Sequence, residues 1–428
     1  MNRRNFLKAA GASSLISTLP ASFNLYAAPA DYNGKLLITV QAEGGWDVTS
    51  FCDPKMNVPG ELEINHWART AETQTIGGLS YAPFAANSTF FQKYYQDILV
   101  INGVDAQTNS HTAGVVHNWS GRISEGFPSL TALFAAQHGA GLPIAYINNG
   151  GYADTGGLTR YTRLEEAGPI GNIIYPNTPR WDPENSYLHN DDWARIREAQ
   201  QGRMQSLTEA QNLTPRQSLN RSNFVSSLDS ASILTDFASA LRNAGDIQEP
   251  AQGGNFYSTL RRQAQMALIA MSSGVSVAAD LMHWGFDTHQ THDTDHDWLL
   301  TELTGGLDYL WTYAETLGIA DRLVVVVASD FARTPWYNDT DGKDHWPIGS
   351  FMVMERNQNY TNRTVGLTND GHEVVAINPD THAVDDNGEI IYPMNVMQEL
   401  REYLGVDTIA RENSFSLNPA SRFGFFTG

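Results

Sequence analysis

Short apolar runs alternate with amphipathic stretches through most of this chain. Residues 35–41, KLLITVQ, are apolar and β-rich and end at the glycine turn Ala42-Glu43-Gly44-Gly45-Trp46-Asp47, the pattern of a buried strand and its exit. Residues 97–104 (DILVINGV), 143–148, 274–281, 322–328 (RLVVVVA) and 350–354 repeat the strand pattern. The unbroken valines of 322–328 predict a central parallel strand covered on both faces. Residues 88–96, 130–140, 257–272, 298–317 and 395–404 carry apolar positions at helical spacing. Strands alternating with helices predict a doubly wound α/β fold, its sheet mainly parallel and its helices on both faces. From about residue 190 to 272, Gln, Ser, Arg, Ala and Leu recur with helical spacing, which predicts a helical insertion in a single domain spanning 31–428. Residues 150–192 are rich in Gly, Pro, Asn and Tyr and predict an irregular surface segment.

The first thirty residues follow a different logic. Arg3-Arg4 precede Phe6 and Leu7, a mildly apolar run broken by Pro20, and an Ala28-Pro29-Ala30 cleavage pattern. Residues 1–30 therefore read as a twin-arginine signal peptide, a route that carries folded proteins to the periplasm or beyond. No other run is long and apolar enough to predict a membrane span. The net charge of −20 argues against nucleic acid and against an anionic membrane surface, both of which select for Lys and Arg. Cys52 is the single cysteine, so no intramolecular disulfide forms, and a buried, inert thiol is expected.

Candidate chemistry gathers at strand ends. Residues 281–296, LMHWGFDTHQTHDTDH, hold four of the twelve histidines. Asp287 and His289 share one side of an extended segment. Asp47 follows the first strand. Ser110 sits at a strand-to-helix junction in DAQTNSHTAGVVHN, and Asp330, Asp344 and His345 follow the valine strand. In open parallel sheets the ligand crevice lies at such ends. Carboxylates and imidazoles suit a divalent metal ion: Zn or Mn, or, with fewer histidines, Mg or Ca. Each residue also has an ordinary reading. Asp47 and Ser110 suit caps, and Arg333 suits a carboxylate partner. Thr112 is an alternative hydroxyl to Ser110. His111 and His117 flank the helix start and either can face the site, while His283 and His296 are near enough to orient ligands.

The order of these groups resembles that of the alkaline phosphatase and sulfatase superfamily, which includes metal-dependent phosphoglycerate mutases. A closer resemblance covers nearly the whole chain. The twin-arginine start, GGWD, SHTAGVVHNWSGR, WGFDTHQTH, SDFARTP and GKDHW look like the secreted bacterial family catalogued as domain of unknown function 1501 (DUF1501). That resemblance implies an alkaline phosphatase-like fold and a secreted metal-dependent hydrolase of phosphate or sulfate esters. The implied substrate is an anionic ester, small or polymeric, and a protein partner encoded nearby is also implied. Carried over by residue, Asp47 and Asp330 share one ion. Asp287, His289 and His345 hold a second, with His292 competing for the place of His289. Ser110 is the nucleophile and Arg333 clamps an anionic oxygen. The sequence departs from the phosphatase pattern at Phe331, where a histidine ligand commonly follows the second acid. That departure motivates the alternative, a metal-stabilised binding or surface-assembly protein on the same fold.

Overall fold

The computed structural model describes residues 32–164, 177–179, 184–210, 213–214, 217–218, 221, 231–244 and 259–427. The expected signal peptide, residues 1–30, lies outside the described residues.

Among the described residues, eight strands form one sheet: β1 (Leu36–Ala42), β2 (Ile98–Asp105), β3 (Tyr146–Asn148), β4 (Tyr161–Thr162), β5 (Ala278–His283), β6 (Leu323–Ser329), β7 (Ile348–Met354) and β8 (Arg363–Val365). Their spatial order is β8-β2-β7-β6-β1-β5-β3-β4. All pairings are parallel except those of β7, which runs antiparallel to both β2 and β6. The reason is local. After β6 the chain reverses through a small ribbon, Ala332–Arg333 against His345–Trp346, and returns beside the strand it left. The valine strand β6 is buried along its whole length, as is β1 beside it. Burial of each such side chain contributes about 1.5–3 kcal/mol, so this centre anchors whatever its ends carry.

The helices are α1 (Asn87–Tyr94), α2 (His111–Ser120), α3 (Leu130–His138), α4 (Asn190–Glu209), α5 (Ala231–Asn243), α6 (Leu260–Ser272), α7 (His292–Thr316), α8 (Pro393–Tyr403) and α9 (Asp407–Glu412). One group, α1, α6 and α7, packs together against the sheet, and a second comprises α2, α3, α8 and α9. Two differences from the sequence pattern matter. First, α6 falls inside the expected insertion, yet it is buried along its length and packs on α7 and β5 as part of the core. By contrast α4 is exposed almost throughout. Second, α7 begins at His292, not near residue 298, so the last five residues of the histidine-rich stretch, with two of its four histidines, are helix. Asp293 and Asp295 in its first turn suit the positive end of the helix. The four-residue spacing of His292 and His296 puts both on the inward face, fully buried.

Register decides where the loops meet. Ala42 of β1 lies level with His283 of β5 and with Ser329 of β6. The three segments that leave these strands, 43–47, 284–291 and 330–335, therefore emerge side by side at the carboxyl edge. β2 runs in the same direction, and its exit leads to Asn109, Ser110 and α2.

Candidate metal centre

Two close approaches assemble the loops. Gly44 has φ of +113°, and a Cβ there would stand 2.4 Å from the Asp287 amide nitrogen, so only glycine lets the two loops touch. A Cβ at Gly114 would stand 2.2 Å from the Asp330 carbonyl oxygen, so glycine there lets α2 lie against the end of β6. Ser329 Oγ accepts the amides of Gly45 and Trp46 at 3.0 Å, and Asn118 Nδ2 donates to the Ser329 and Asp330 carbonyls.

The residues form two clusters. The open one contains His111, Asp287, His289 and His345. His111 Nδ1 meets Asp330 Oδ2 at 2.5 Å, His289 Nδ1 meets Asp344 Oδ1 at 2.7 Å, and His345 Nδ1 meets the Asn109 carbonyl at 2.8 Å. In the neutral tautomer in which Nδ1 donates to these oxygens, each Nε2 keeps its lone pair for a ligand. All three Nε2 atoms face the Asp287 carboxylate, at 3.6, 3.0 and 3.1 Å for His111, His289 and His345. The Nε2 atoms of His289 and His345 are 3.0 Å apart. Among the described residues, ligand atoms of His111, Asp287 and His345 lie within 4.8 Å of one another. Nitrogen and oxygen acceptors converging on one point fit a divalent cation of the Zn or Mn type.

Neighbouring charges tune this cluster. Burial opposes ionisation of Asp287, but the Arg333 hydrogen bond (2.6 Å) and charge outweigh it and hold its pKa low. The Asp330 hydrogen bond raises the pKa of His111. His289 lowers that of Asp344. Glu43 stands in the same field, its pKa raised first by burial and then by Asp330.

Arg333 is fully buried. It donates to the Gly44, Gly45 and Lys343 carbonyls as well as to Asp287. Its guanidinium ties the loops together from beneath instead of facing an incoming oxygen, which differs from the clamp role the resemblance implies. Phe331 does not ligate either. Its ring packs against the rings of His111 and His345, with centroids 4.8 and 4.6 Å away. Ser110 is the exposed N-cap of α2 and its side chain makes no cap hydrogen bond. It stands between Asn109, whose carbonyl holds His345, and the cluster residue His111. Thr112 is exposed one residue further on.

The second cluster is closed. Asp47, His292, His296 and Lys343 are all fully buried. The Asp47 amide donates to His296 Nε2 at 2.7 Å, so that nitrogen is an acceptor and Nδ1 carries the proton. Nδ1 of His296 then donates to Thr288 Oγ1 (3.2 Å), Thr288 donates to His292 Nδ1 (2.7 Å), and His292 Nε2 donates to Asp47 Oδ2 (3.0 Å). One backbone amide therefore fixes both tautomers. Burial keeps both imidazoles neutral, their pKa values lowered. Burial also opposes the charge on Asp47, but Lys343 and His292 outweigh it and hold the pKa well below the usual carboxylate range.

Asp287, His289, Asp330 and His345 thus come together, with Asp330 behind His111. Asp47 and His292 do not join them: they face Lys343 and the interior. His292 points its proton at Asp47 and does not compete with His289. Lys343 and the orienting part of Asp344 escaped the sequence reading, although GKDHW contains both. His111 was one of two alternatives, and His117 is buried with Nδ1 on the Ala106 carbonyl. Cys52 is buried and burial pushes its thiol pKa up. Among the described residues no helix is long and apolar enough to cross a membrane.

Fold and site define an α/β protein with a candidate His/Asp metal centre at the carboxyl edge of a mostly parallel sheet. More particularly, the chain belongs to the family described as Protein of unknown function (DUF1501), whose model matches residues 34–376. In structure it is similar to the lipoteichoic acid synthase LtaP from Listeria monocytogenes, at 11% identity over 98% of this chain and 80% of that one (TM-score 0.38). It is similar to a 2-O GAG sulfatase at 10% identity over 91% and 72% (TM-score 0.34). It is also similar to the phosphonate monoester hydrolase of Agrobacterium radiobacter at 11% identity over 91% and 78% (TM-score 0.36). No curated protein matches the sequence.

Proposed function

We propose that the protein is a secreted, metal-dependent hydrolase of phosphate or sulfate esters, with a divalent ion held by His111, Asp287, His289 and His345. The observation that carries this is the convergence of three oriented Nε2 atoms on the Asp287 carboxylate. The side chains of Asp287 and His289 are nearly half exposed, so a ligand reaches the cluster from solvent. A bound ion supplies Lewis-acid stabilisation of charge developing on an ester oxygen. Asp330, Asp344 and the Asn109 carbonyl keep the three imidazoles oriented. Ser110 supplies the attacking hydroxyl at the amino end of α2, where backbone N–H groups and the helix dipole favour an anion. Arg333 holds Asp287 in place. Export through the twin-arginine route follows from Arg3-Arg4 and suits a protein that folds around its ion before transport.

The test is a panel of aryl phosphate monoesters, diesters and sulfates with metal-replete protein. Ser110→Ala is expected to retain the ion and lose turnover by orders of magnitude, as on removal of a catalytic serine nucleophile. Turnover unchanged in that variant removes Ser110 from the mechanism. Arg3→Lys/Arg4→Lys is expected to leave the chain in the cytoplasm on fractionation. The engagement of Arg333 inside the protein favours a second reading, a binding or surface-assembly protein whose ion is structural. It predicts metal-dependent melting with no turnover on any ester of the panel.

A further inference from the structure

The family resemblance assigns Asp47, with Asp330, to an ion of its own. The donors around Asp47 leave no place for one. Oδ1 accepts the Thr49 amide at 2.9 Å and the Thr49 hydroxyl at 2.6 Å. Oδ2 accepts Lys343 Nζ at 2.7 Å, His292 Nε2 at 3.0 Å and Ser50 Oγ at 3.1 Å. A carboxylate offers about four lone-pair sites, and five donors already surround this one. Asp330 is engaged too, by three donors: it accepts Gln41 Nε2, the Gly44 amide and His111 Nδ1. Both aspartates are fully buried.

We infer that the Lys343 ammonium is the resident cation of Asp47, and that the chain takes no divalent ion at Asp47 and Asp330. Nζ of Lys343 is held by three oxygens, Asp47 Oδ2, Asn65 Oδ1 at 3.2 Å and Thr49 Oγ1 at 3.3 Å, and by the face of the Tyr337 ring, 4.9 Å from its centroid. A divalent ion beside it would meet like charge in a medium of low dielectric, where repulsion is many times stronger than in water. His292 is also unavailable as a ligand through Nε2, because the hydrogen-bond chain from the Asp47 amide sets a proton there. The ammonium is part of the chain, so no chelator removes it.

Lys343 also carries the open cluster on its backbone. Its amide donates to the Thr288 carbonyl at 3.1 Å, between Asp287 and His289, and its carbonyl accepts Arg333 Nη1 at 3.1 Å. Asp344 and His345 follow directly. The buried pair thereby positions both segments that face the exchangeable ion. The assignment rests on the Asp47 site alone and is separable from the hydrolase reading.

The test is ion counting on the full mature chain by elemental analysis after saturation with Zn²⁺ or Mn²⁺. One equivalent is expected in the wild type and in Asp47→Asn, and none in Asp287→Ala. Two equivalents in the wild type falling to one in Asp47→Asn overturn the inference. No uptake by the wild type defeats the hydrolase reading while agreeing with Lys343 as the only cation at Asp47. Where Asp47→Asn does not fold, anomalous diffraction from Mn²⁺-soaked wild-type crystals decides. A peak at Asp287 with none at Asp47 supports the assignment, and a peak within about 2.3 Å of an Asp47 oxygen sinks it.

Discussion

Two groups of histidine and aspartate occupy one loop layer at the sheet edge, and they are satisfied by opposite means. Around Asp47 every side chain is buried, and each acceptor has a donor inside the protein, with Lys343 closing the charge. Around Asp287 the imidazoles turn their protons outward to Asp330, Asp344 and Asn109, and leave three lone pairs facing a half-exposed carboxylate. A buried charge must be neutralised from within, because desolvation leaves it no other recourse. A cluster of acceptors open to water can draw its counter-charge from solution. The same residue types therefore build a locked strut on one side and a candidate binding centre on the other.

The largest effect tests the open side. Asp287→Ala is expected to abolish stoichiometric ion uptake in elemental analysis with the fold intact, since Arg333 keeps its three backbone acceptors. Retained uptake would mean the ion does not use this carboxylate. The next effect tests the closed side. Lys343→Met leaves the Asp47 carboxylate buried without its cation and should cost about 3–5 kcal/mol in denaturant unfolding. Asp47→Leu/Lys343→Met should recover most of that loss, and no recovery would show that the pair is not the source.

A pH dependence comes from a separate buried imidazole. His372 is buried in the field of Asp53, with neither ring nitrogen hydrogen-bonded, and burial brings its pKa down to about 4. In the unfolded chain an imidazole titrates near 6.5. The folded state then binds fewer protons between these values, so the contribution is complete above about 6.5 and is lost as pH falls towards 4. It amounts to roughly 3 kcal/mol, read as the extra acid loss of the wild type relative to His372→Leu. Equal pH profiles would show that the imidazole is not held neutral. The smallest effect returns to the open side. Asp344→Asn removes the oxygen anion that orients His289 and should weaken ion affinity about 10–100-fold without loss of stability. An unchanged affinity in calorimetric titration would exclude His289 from the ligand set.

Much of the frame was legible in the chain because it depends on local pattern. The valines of β6, the apolar run of β1 and the glycine turns at 44–45 follow from strand periodicity and backbone freedom, and those signals do not need the rest of the molecule. The carboxyl-edge location of Asp287, His289, Asp330 and His345 was legible for the same reason, as each trails a recognisable strand. Helix boundaries were harder. α7 starts at His292 because the buried network of Asp47 and Thr288 draws that turn inward, and helical spacing alone does not reveal such a partner.

What the sequence determined by itself is the set of strands, their alternation with helices and the inventory of ligand-type residues near their ends. What only the tertiary structure decided is how those residues divide. Asp47 and Asp287 look alike in sequence, each an acid on a loop after a glycine. Their fates differ because strand register and the ribbon after β6 deliver the Lys343 side chain to one and leave the other open to solvent. Proton positions were decided at the same level, since a histidine becomes donor or ligand according to which oxygen its other nitrogen meets across the fold.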